Sequence, residues 1–546
     1  GHVVPFGDTE AEATHFLAYG RARKPLLVDG LRAAEHAEAA FGRTAYNAAM
    51  AEAYAPLLDA LRTDTHTPQQ MVLPARALPV KIPRESLKVA YFCWHFPVPS
   101  ETFVLNELRI LKDQGSDVTV FCKQSPYPDF EPDFDITWET VRDADHLAER
   151  LVATGRDVVH GHFIYPTVTD MVWPAARKAN IPFTCIAHAQ DIFRYKNAVV
   201  NRIDEISADP LCLQIFTLSR FHRQFLVDRG VLPSKVTINS NCIDPDLFAG
   251  GKIDNRPART ARAVAAVSRF ADKKGLEVLT RAGKLLEDDG IQINIYGYGP
   301  MEDLYRQIIA DHGITNVTIH GPVKGRDALL EVFRTHDLFA VPSVRAPDGD
   351  MDGIPTTLME STAAGLPVLT TPIAGIPDLV HDGITGMLSD DVTPEALAAK
   401  IREFYALPDI AVKVMIEDAE AHLRRNHNGP DLVNTLLRFW AGETIDLMIV
   451  SWNNLAQTRE VIRRLYEYTN LPFHLIVCDN GSDAPAMAHL LSVYAGQDNF
   501  TLILNRENAF VGPGTNKCIA QGTSDYMIYV CGKEGMTTRH GWQKSF

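Results

Sequence analysis

The sequence predicts an α/β protein with two doubly wound lobes, in each of which helices cover both faces of a parallel sheet. Short apolar strand segments alternate with amphipathic helical segments from about residue 87 to residue 440, an alternation typical of parallel sheets. The series of strands begins twice, first at residues 89–93 and again at residues 263–268. A chain of 546 residues also exceeds the size of a single hydrophobic core, so two or more domains are expected.

Four segments divide the chain. Residues 1–84 are rich in alanine at helical spacing and end in a stretch with several prolines, which predicts a helical appendage and an extended linker. Residues 85–250 and residues 251–440 carry the two strand series, and residues 441–546 carry a third, shorter α/β series. Because ligands of doubly wound folds lie beyond the carboxyl ends of the strands, the loops that follow strands are the candidate sites.

The composition argues against several classes of protein. A net charge of −15 is unfavourable for general nucleic-acid binding. The sequence has neither a long uncharged apolar stretch nor the features of a secretory signal at its start. The eight cysteines form no C-x-x-C pair, which favours reduced, buried thiols over disulfides or a zinc site. We therefore expect a cytoplasmic protein, and a local basic patch on the inner face of the membrane remains compatible with this charge.

Two acids follow a strand of the second lobe. Asp352 and Glu360 have seven residues between them, and Gly353, Ile354 and Pro355 connect Asp352 to a helix that we expect to begin near Thr356. A helix N-terminus offers unpaired backbone N–H groups to a ligand, and carboxylates beside it can accept hydrogen bonds from sugar hydroxyls. The alternative is that both acids only complement the helix dipole.

Basic residues and glycines follow the neighbouring strands of the same lobe. Arg269 and Lys274, with Lys273 as the alternative register, come directly after the strand at residues 263–268. An arginine fork and a lysine point charge suit a diphosphate, whereas the alternative is a set of solvated surface charges. Gly297 and Gly299 form a glycine-rich turn after the next strand.

The first lobe offers a capped helix and two histidines. Ser100 is expected to be the N-cap of a helix whose first turn contains Glu101 and Thr102. His162 and His188 each follow a strand. A structural role is the alternative for both histidines, and a zinc site built from the histidines of this region is disfavoured by their spacing. Three residues beyond His188, Asp191 could orient that ring or help to build the site.

These motifs, in this order and over about residues 88–440, resemble the retaining GT-B glycosyltransferases of family 4. The resemblance rests mainly on Asp350-Met-Asp-Gly-Ile-Pro-Thr-Thr-Leu-Met-Glu360, on Ser361-Thr-Ala-Ala-Gly-Leu-Pro367 and on Gly375-Ile-Pro-Asp-Leu-Val380. It implies the GT-B fold, with an acceptor-side N-terminal Rossmann-like lobe and a C-terminal donor lobe that face a cleft. Asp352 stands where the family usually has Glu, which shortens the reach of the side chain.

The resemblance also implies roles for individual residues. In the family, the first acid faces the donor sugar and the second holds the nucleotide ribose, which assigns these roles to Asp352 and Glu360. Arg269 and Lys274 would bind the phosphates and stabilise the leaving group, so that neither a metal nor another cofactor is required. His188 would lie near the reacting sugar and share the catalytic role. The acceptor side would include Ser100, Glu101, Thr102, His162 and Asp191, and the donor site would include Gly297, Gly299, Gly353, Ile354 and Pro355.

The activity implied is transfer of a sugar from a nucleoside-diphosphate sugar to a saccharide or lipid-linked acceptor in bacterial cell-surface polysaccharide or glycan synthesis. The family retains the anomeric configuration, and front-side substitution is the mechanism that the resemblance implies. The alternatives are a nucleotide-sugar epimerase on the same fold and a non-catalytic scaffold in a glycan assembly system. No nucleic acid is expected as a partner.

The third α/β series resembles the nucleotide half of the inverting GT-A glycosyltransferases of family 2. The similarity lies in Leu447-Met-Ile-Val-Ser-Trp-Asn-Asn454, in Val477-Cys-Asp-Asn-Gly-Ser482 and in Asn505-Arg-Glu-Asn-Ala-Phe-Val-Gly512. That family has a metal-binding Asp-x-Asp after a strand, where this chain has Cys531-Gly-Lys-Glu534. We therefore expect residues 441–546 to be a partial and inactive segment.

Overall fold

The computed structural model describes residues 70–75, 78, 80–194, 201–249 and 261–530. The chain divides into two compact units. The larger unit contains Arg84–Leu226 and Ile238–Leu437, and the smaller contains the described residues of Gly1–Pro83, Val227–Thr237 and Arg438–Phe546. The helical segments expected within residues 1–69 lie outside the described residues.

The first described strand, β1, spans Gln70–Leu73. A seven-stranded sheet follows, with strand order β4-β3-β2-β5-β6-β7-β8. Its strands are β2 Lys88–His95, β3 Asp117–Gln124, β4 Trp138–Thr140, β5 Val158–His162, β6 Phe183–Ala187, β7 Cys212–Thr217 and β8 Val236–Ile238. The strands from β4 to β7 pair in parallel. Since β3 and β5 lie on opposite sides of β2, the direction of winding reverses at β2, as in a doubly wound sheet.

Seven α-helices accompany this sheet in the described part of the chain. They are α1 Thr102–Asp113, α2 Ala144–Ala153, α3 Trp173–Ala179, α4 Ala189–Phe193, α5 Ile203–Ala208, α6 Arg220–Asp228 and α7 Asp246–Ala249. A π-helical segment, Ile164–Val172, leads into α3.

The second sheet of the larger unit has six parallel strands in the order β11-β10-β9-β12-β13-β14. They are β9 Ala263–Arg269, β10 Gln292–Tyr298, β11 Val317–His320, β12 Leu338–Ala340, β13 Val368–Thr370 and β14 Met387–Leu388. The helices that follow are α8 Leu276–Leu285, α9 Glu302–Asp311, α10 Arg326–Thr335, α11 Thr356–Ala363, α12 Pro394–Ala406, α13 Asp409–Asn426 and α14 Gly429–Trp440.

Both faces of this second sheet are buried. Val264 of β9 and Leu338 of β12 lie in one apolar cluster, whereas their chain neighbours Ala265 and Phe339 lie in another. Successive side chains of a strand point to opposite faces, so each face of the sheet is covered by its own set of helices. This arrangement confirms the prediction of parallel sheets covered on both sides.

Gly275 allows the loop after β9 to approach the loop after β12. Its φ is +63°, and a Cβ there would lie 1.9 Å from the carbonyl oxygen of Pro342. We expect Gly275→Ala to lower the free energy of unfolding by about 3 kcal/mol or more, because the backbone conformation and the contact are both unfavourable. The matched control is Gly290→Ala, since Gly290 has a φ of +67° with no atom within 4 Å of an added Cβ. It should cost about 1 kcal/mol. Equal losses in chemical unfolding would contradict this account.

The smaller unit has one sheet, with the strand order β1-β17-β16-β15-β18. Its later strands are β15 Ile445–Ser451, β16 Phe473–Asp479, β17 Phe500–Asn505 and β18 Met527–Tyr529, and its helices are α15 Leu455–Tyr468, α16 Ala484–Gly496 and α17 Val511–Ile519. β15 to β18 pair in parallel, as the third α/β series predicts. β1 pairs antiparallel with β17. Gln70–Leu73 therefore forms a strand in a region where the sequence predicted helix and linker.

Within the described ranges, no helix combines the length and the apolar composition needed to cross a membrane.

Candidate active site

Loops of the two lobes meet within the larger unit. A Cβ on Gly353, in the loop after β12, would lie 2.5 Å from Cδ1 of Leu218, which follows β7. Arg220 pairs with Asp378 across the same boundary, with 2.6 Å between Nη2 and Oδ1. Arg194 donates to Asp348 at 3.1 Å. The carboxyl ends of the two sheets therefore lie on either side of a shared region, and a Cβ at position 353 would require the Leu218 side chain to shift.

Two lysines and two aspartates form a charged cluster in this region. Lys274 Nζ lies 2.9 Å from Asp352 Oδ2, and Lys273 Nζ lies 3.0 Å from Asp350 Oδ2 and 3.7 Å from Asp352 Oδ1. Ser343 donates a hydrogen bond to Asp352 at 2.7 Å. The sequence placed Lys274 and Asp352 in one site, and the structure brings them into direct contact. It adds Asp350 and Ser343, which the sequence analysis did not single out, and includes Lys273 as a second cation.

The Asp352 carboxyl is held in its ionised form. Burial alone would raise its pKa, but the charges of Lys274 and Lys273 and the hydrogen bonds from Lys274 and Ser343 lower the pKa below its ordinary value. A buried carboxylate beside two ammonium groups is an acceptor with no proton of its own at neutral pH. It can accept hydrogen bonds from the hydroxyl groups of a ligand.

Glu360 lies in a different environment from Asp352. It occupies the second turn of α11, which begins at Thr356 as predicted, and the side chain is buried. Burial raises the pKa of Glu360 to about 7. Among the described residues, no ion pair or hydrogen bond holds its carboxyl group. The two predicted acids thus differ in charge state near neutral pH.

The raised pKa of Glu360 predicts a pH-dependent change in stability. A folded-state pKa of about 7, against an ordinary value of 4.5, means that the protonated group favours folding and that this contribution is lost as the pH rises through about 7. Replacing Glu360 by glutamine removes the penalty. The unfolding free energy of Glu360→Gln minus that of the wild type should increase by about 2.5 kcal/mol between pH 5 and pH 8.

Glu101 titrates in the same range, because burial raises its pKa to about 7. The wild-type protein therefore loses stability over this window for two reasons. Only the difference between Glu360→Gln and the wild type isolates Glu360. A difference that is constant with pH would contradict the assignment.

Arg269 and the glycine-rich turn lie at the ends of β9 and β10. The Arg269 side chain is exposed and has no ion-pair partner in the part of the chain that the structure describes. Gly297 has a φ of +150°, and a Cβ there would lie 1.9 Å from the carbonyl oxygen of Ser268. At Gly299 the corresponding contact is 2.4 Å to the carbonyl oxygen of Phe270. These glycines are needed so that the turn after β10 can pack on the backbone beside Arg269.

Two residues of the predicted donor loop contribute to packing and to the start of a helix. The Ile354 side chain is buried in the apolar cluster beneath the sheet, so only its backbone remains for a ligand. Pro355 is the N-cap residue of α11 and places that helix directly after the loop.

His188 is held by ring contacts and by a second histidine. His188 Nε2 lies 3.1 Å from Nδ1 of His162. The ring centroid of His188 lies 4.8 Å from that of Phe103 and 4.3 Å from that of Phe163. Burial lowers the pKa of His188 well below its ordinary value, and the charge of Lys273 acts in the same direction. The ring is therefore neutral at pH 7 and lies within the electrostatic reach of the lysine cluster.

Asp191 does not contact the His188 ring. Its Oδ2 accepts a hydrogen bond from the backbone N–H of Ile164, whereas its buried Oδ1 has no hydrogen-bond partner among the described residues. Burial raises the pKa of Asp191 well above its ordinary value, and the hydrogen bond from Ile164 opposes the rise. Asp191 therefore does not orient the His188 ring through a side-chain hydrogen bond, since His162 makes that contact, and its role in building the site stays a prediction.

The expected N-cap of α1 is wrong by one residue. The helix begins at Thr102, its N-cap is Glu101, and no side chain caps it. The N–H of Glu101 donates to the carbonyl oxygen of Val98 at 3.1 Å, so a turn extends through Glu101 and shifts the start of the helix. Ser100 is exposed and precedes the cap.

Histidines that were considered above for a zinc site lie in a buried polar cluster next to His188. Atoms of Glu107, His160 and His162 that could bind a metal lie within 4.8 Å of one another. In the structure these groups form hydrogen bonds instead: His162 Nε2 lies 3.1 Å from Glu107 Oε2, and His160 Nδ1 lies 2.7 Å from Thr184 Oγ1. Since His162 uses its other nitrogen for His188, a metal would have to displace one of these hydrogen bonds.

The predicted ligand turn of the smaller unit is held by internal hydrogen bonds. Asp479, at the end of β16, accepts a hydrogen bond from the N–H of Ser482 at 3.0 Å. Asn505 donates to Asn480 at 2.7 Å, and Asn480 donates to the carbonyl oxygen of Phe510 at 3.1 Å. The similarity of this unit to family 2 remains a prediction.

Two family matches fall on the larger unit. Residues 100–247 match the family described as "Glycosyltransferase Family 4", and residues 253–422 match "Glycosyl transferases group 1". The first match covers the seven-stranded sheet from α1 onward, and the second covers the six-stranded sheet.

Curated relatives are similar over part of the chain. The amylovoran biosynthesis glycosyltransferase AmsK of Erwinia amylovora is 26% identical over 367 residues, which cover 57% of this chain and 89% of AmsK. The putative colanic acid biosynthesis glycosyltransferase WcaL of Salmonella typhimurium is 30% identical over 205 residues, 37% of this chain and 50% of WcaL. The chain thus spans most of the first relative and half of the second.

Solved glycosyltransferase structures share the fold. A glycosyltransferase from Rickettsia africae aligns with a TM-score of 0.54 at 16% identity, covering 65% of this chain and 98% of that one. HepE from Anabaena, crystallised with UDP and glucose, aligns with a TM-score of 0.51 at 16% identity over 64% of this chain and 98% of HepE. Two parallel doubly wound sheets and both family matches lie in the larger unit, which therefore has the fold of the GT-B-type glycosyltransferases.

Proposed function

We propose that this protein transfers a sugar from a nucleoside-diphosphate sugar to a saccharide or lipid-linked acceptor, with retention of configuration and without a metal ion. The observation that carries the proposal is the cluster of Lys273, Lys274, Asp350 and Asp352, whose side chains are exposed by 7% to 20%, together with the exposed Arg269 at the end of β9. The names of AmsK and WcaL support a role in the synthesis of a bacterial cell-surface polysaccharide. The UDP and glucose in crystals of HepE support a nucleotide sugar as the donor.

The cluster can exchange one anion for another. Without a ligand, Lys274 is neutralised by Asp352, which keeps its hydrogen bond from Ser343 and lies 3.7 Å from Lys273. A bound diphosphate gives Lys274 a second anionic partner, and Arg269 can add a two-pronged contact. In this arrangement cationic side chains neutralise the leaving group, and Asp352 becomes free to accept hydrogen bonds from the donor sugar.

The proposed reaction is a front-side substitution. The bond between the anomeric carbon and the phosphate oxygen breaks, and a bond to the acceptor oxygen forms on the same face of the sugar. The hydroxyl proton of the acceptor passes to the departing phosphate oxygen, so no enzymatic nucleophile is required. Neutral His188 accepts a hydrogen bond from a sugar hydroxyl rather than adding a positive charge.

Release of nucleoside diphosphate from a panel of nucleotide sugars tests the proposal. The purified protein is incubated with UDP-, GDP-, ADP- and dTDP-sugars, with and without EDTA. We expect one class to release its diphosphate at the same rate in both conditions, and the transferred sugar to keep its anomeric configuration by NMR. A requirement for a divalent ion or an inverted product would overturn the corresponding part of the proposal.

The same panel separates the alternatives. An epimerase would convert the nucleotide sugar into its epimer, which NMR of the reaction mixture detects. A scaffold would leave every donor unchanged in the presence of acceptor extracts. Either result would refute the transferase assignment.

A further inference from the structure

A chain of four buried polar side chains leads from the interior of the first lobe to His188. The Tyr91 hydroxyl donates to Glu107, and His162 Nε2 lies 3.1 Å from the same Glu107 oxygen. The other nitrogen of His162 contacts His188 Nε2 at 3.1 Å. Glu107, His162 and His188 are exposed by only 2%, 1% and 4%. These side chains therefore face one another rather than bulk solvent.

The direction of the chain follows from which atom accepts at each contact. The Glu107 oxygen that faces His162 accepts a hydrogen bond from Tyr91, and where it also accepts from His162 the proton of that contact lies on His162 Nε2. An imidazole whose single proton lies on Nε2 has its lone pair on Nδ1, so in this arrangement His162 Nδ1 accepts a hydrogen bond from His188. The proton of His188 therefore lies on Nε2, and its Nδ1 carries the lone pair.

The second nitrogen of His188 is available to a ligand. Nδ1 of His188 has no hydrogen-bond partner among the residues that the structure describes, and the Phe103 and Phe163 rings restrict rotation of the imidazole. Burial keeps the ring neutral because it lowers the pKa of His188 well below its ordinary value. A neutral imidazole with a fixed lone pair is an acceptor for one hydroxyl group.

We propose that Glu107 is a positioning residue that, through His162, holds the proton of His188 on Nε2 and leaves Nδ1 as the acceptor for a sugar hydroxyl. The proposal rests on the proposed transferase function for the identity of the ligand. The state of the proton on His188 does not depend on that function.

The first test measures the position of the proton directly. Long-range ¹H–¹⁵N correlation spectra of the protein labelled at histidine distinguish the two neutral tautomers, and the signals of His188 are those lost in His188→Ala. We expect the Nε2–H tautomer in the wild type. In Glu107→Gln, the amide nitrogen can take the position of the Glu107 oxygen that faces His162, where its two N–H groups donate to His162 Nε2 and to the Tyr91 hydroxyl oxygen, so the chain reverses and His188 should carry its proton on Nδ1. An Nδ1–H or doubly protonated His188 in the wild type would overturn the proposal.

The second test asks whether Glu107 acts through His188. We expect Glu107→Gln to lower kcat by about 10²-fold, while the Kd of the nucleoside diphosphate stays unchanged. In the His188→Ala background, Glu107→Gln should have no further effect on kcat, because the residue through which it acts is absent. Equal reductions in both backgrounds would indicate a merely structural role and refute the proposal.

Tyr91→Phe is the matched control for disturbance of the cluster. It removes one donor to Glu107 and the 3.3 Å contact of the Tyr91 hydroxyl with His162 Nε2, but it keeps the contact between Glu107 and His162, so the His188 tautomer should remain that of the wild type. If Glu107→Gln does not fold, the tautomer of His188 in the wild-type protein still tests the proposal. If the wild type releases no nucleoside diphosphate from any donor, the proposed function fails while the tautomer measurement remains interpretable.

Discussion

Replacing Lys274 by alanine is expected to lower kcat by about 10³-fold, because the variant loses a cation that stabilises the departing diphosphate. The same change should destabilise the unliganded protein. Lys274 lies 2.9 Å from the buried Asp352, whose carboxylate would lose its nearest counter-charge. Breaking a buried ion pair costs several kcal/mol, and with Lys273 still 3.7 Å away from Asp352 we expect a loss of about 3 kcal/mol. Steady-state kinetics and chemical unfolding measure the two effects.

Two other lysines serve as controls for Lys274. Lys273→Ala removes a cation from the same cluster but leaves the contact between Lys274 and Asp352, so its effect on kcat should be smaller. Lys413 is an exposed residue whose ammonium group lies 4.0 Å from Glu417, and its replacement by alanine should change neither activity nor stability. A Lys274→Ala variant with wild-type turnover would remove the central element of the proposed mechanism.

A double variant tests whether the loss of stability in Lys274→Ala comes from the unpaired charge of Asp352. Asp352→Asn combined with Lys274→Ala leaves no buried unpaired charge between the two positions, so most of the lost stability should return. Turnover should not return with it. Recovery of both would mean that Lys274 acts only through the ion pair.

Much of the fold follows from local sequence patterns. Buried strands of a parallel sheet are continuous apolar runs, because both of their faces are covered. This explains why the strand predicted at residues 263–268 corresponds to β9, Ala263–Arg269. By contrast, β1 has only four residues and pairs with β17, and no local pattern reports on a partner more than 400 positions away. The sequence of residues 1–84 therefore predicts a helical appendage and a linker rather than this strand.

The candidate site likewise has one part that the sequence predicts and another that it does not. Lys274 and Asp352 each follow a strand of one parallel sheet, so the rule that ligands lie at the carboxyl ends brings them together. The chain from Glu107 through His162 to His188 could not be predicted, because these residues lie on α1, at the end of β5 and after β6, with no regular spacing. Only the packing of α1 on the sheet makes Glu107 the partner of His162. Burial, which sets the pKa of Glu360 to about 7, is likewise a property of the folded chain.

Arg269→Ala should lower activity without lowering stability, whereas Lys274→Ala should lower both. The Arg269 side chain is exposed and has no ion-pair partner in the described part of the chain, so its removal should change the free energy of unfolding by less than about 0.5 kcal/mol. We expect kcat/KM to fall by about 10²-fold, with weaker binding of the free nucleoside diphosphate. Isothermal titration with the diphosphate and steady-state kinetics measure these effects.

Arg269→Lys and Arg306→Ala test whether geometry or charge is responsible. Lysine restores the charge of Arg269 but not the two-pronged contact, so rescue should be partial. Arg306 is an exposed arginine of the same lobe that pairs with Glu302 at 2.8 Å, and Arg306→Ala makes the same change in net charge. It should have no effect on kinetics. An exposed arginine that contributes nothing to folding, yet is needed for turnover, must act on the ligand. If Arg269→Ala were as active as Arg306→Ala, the diphosphate would have to be bound by the lysine cluster alone.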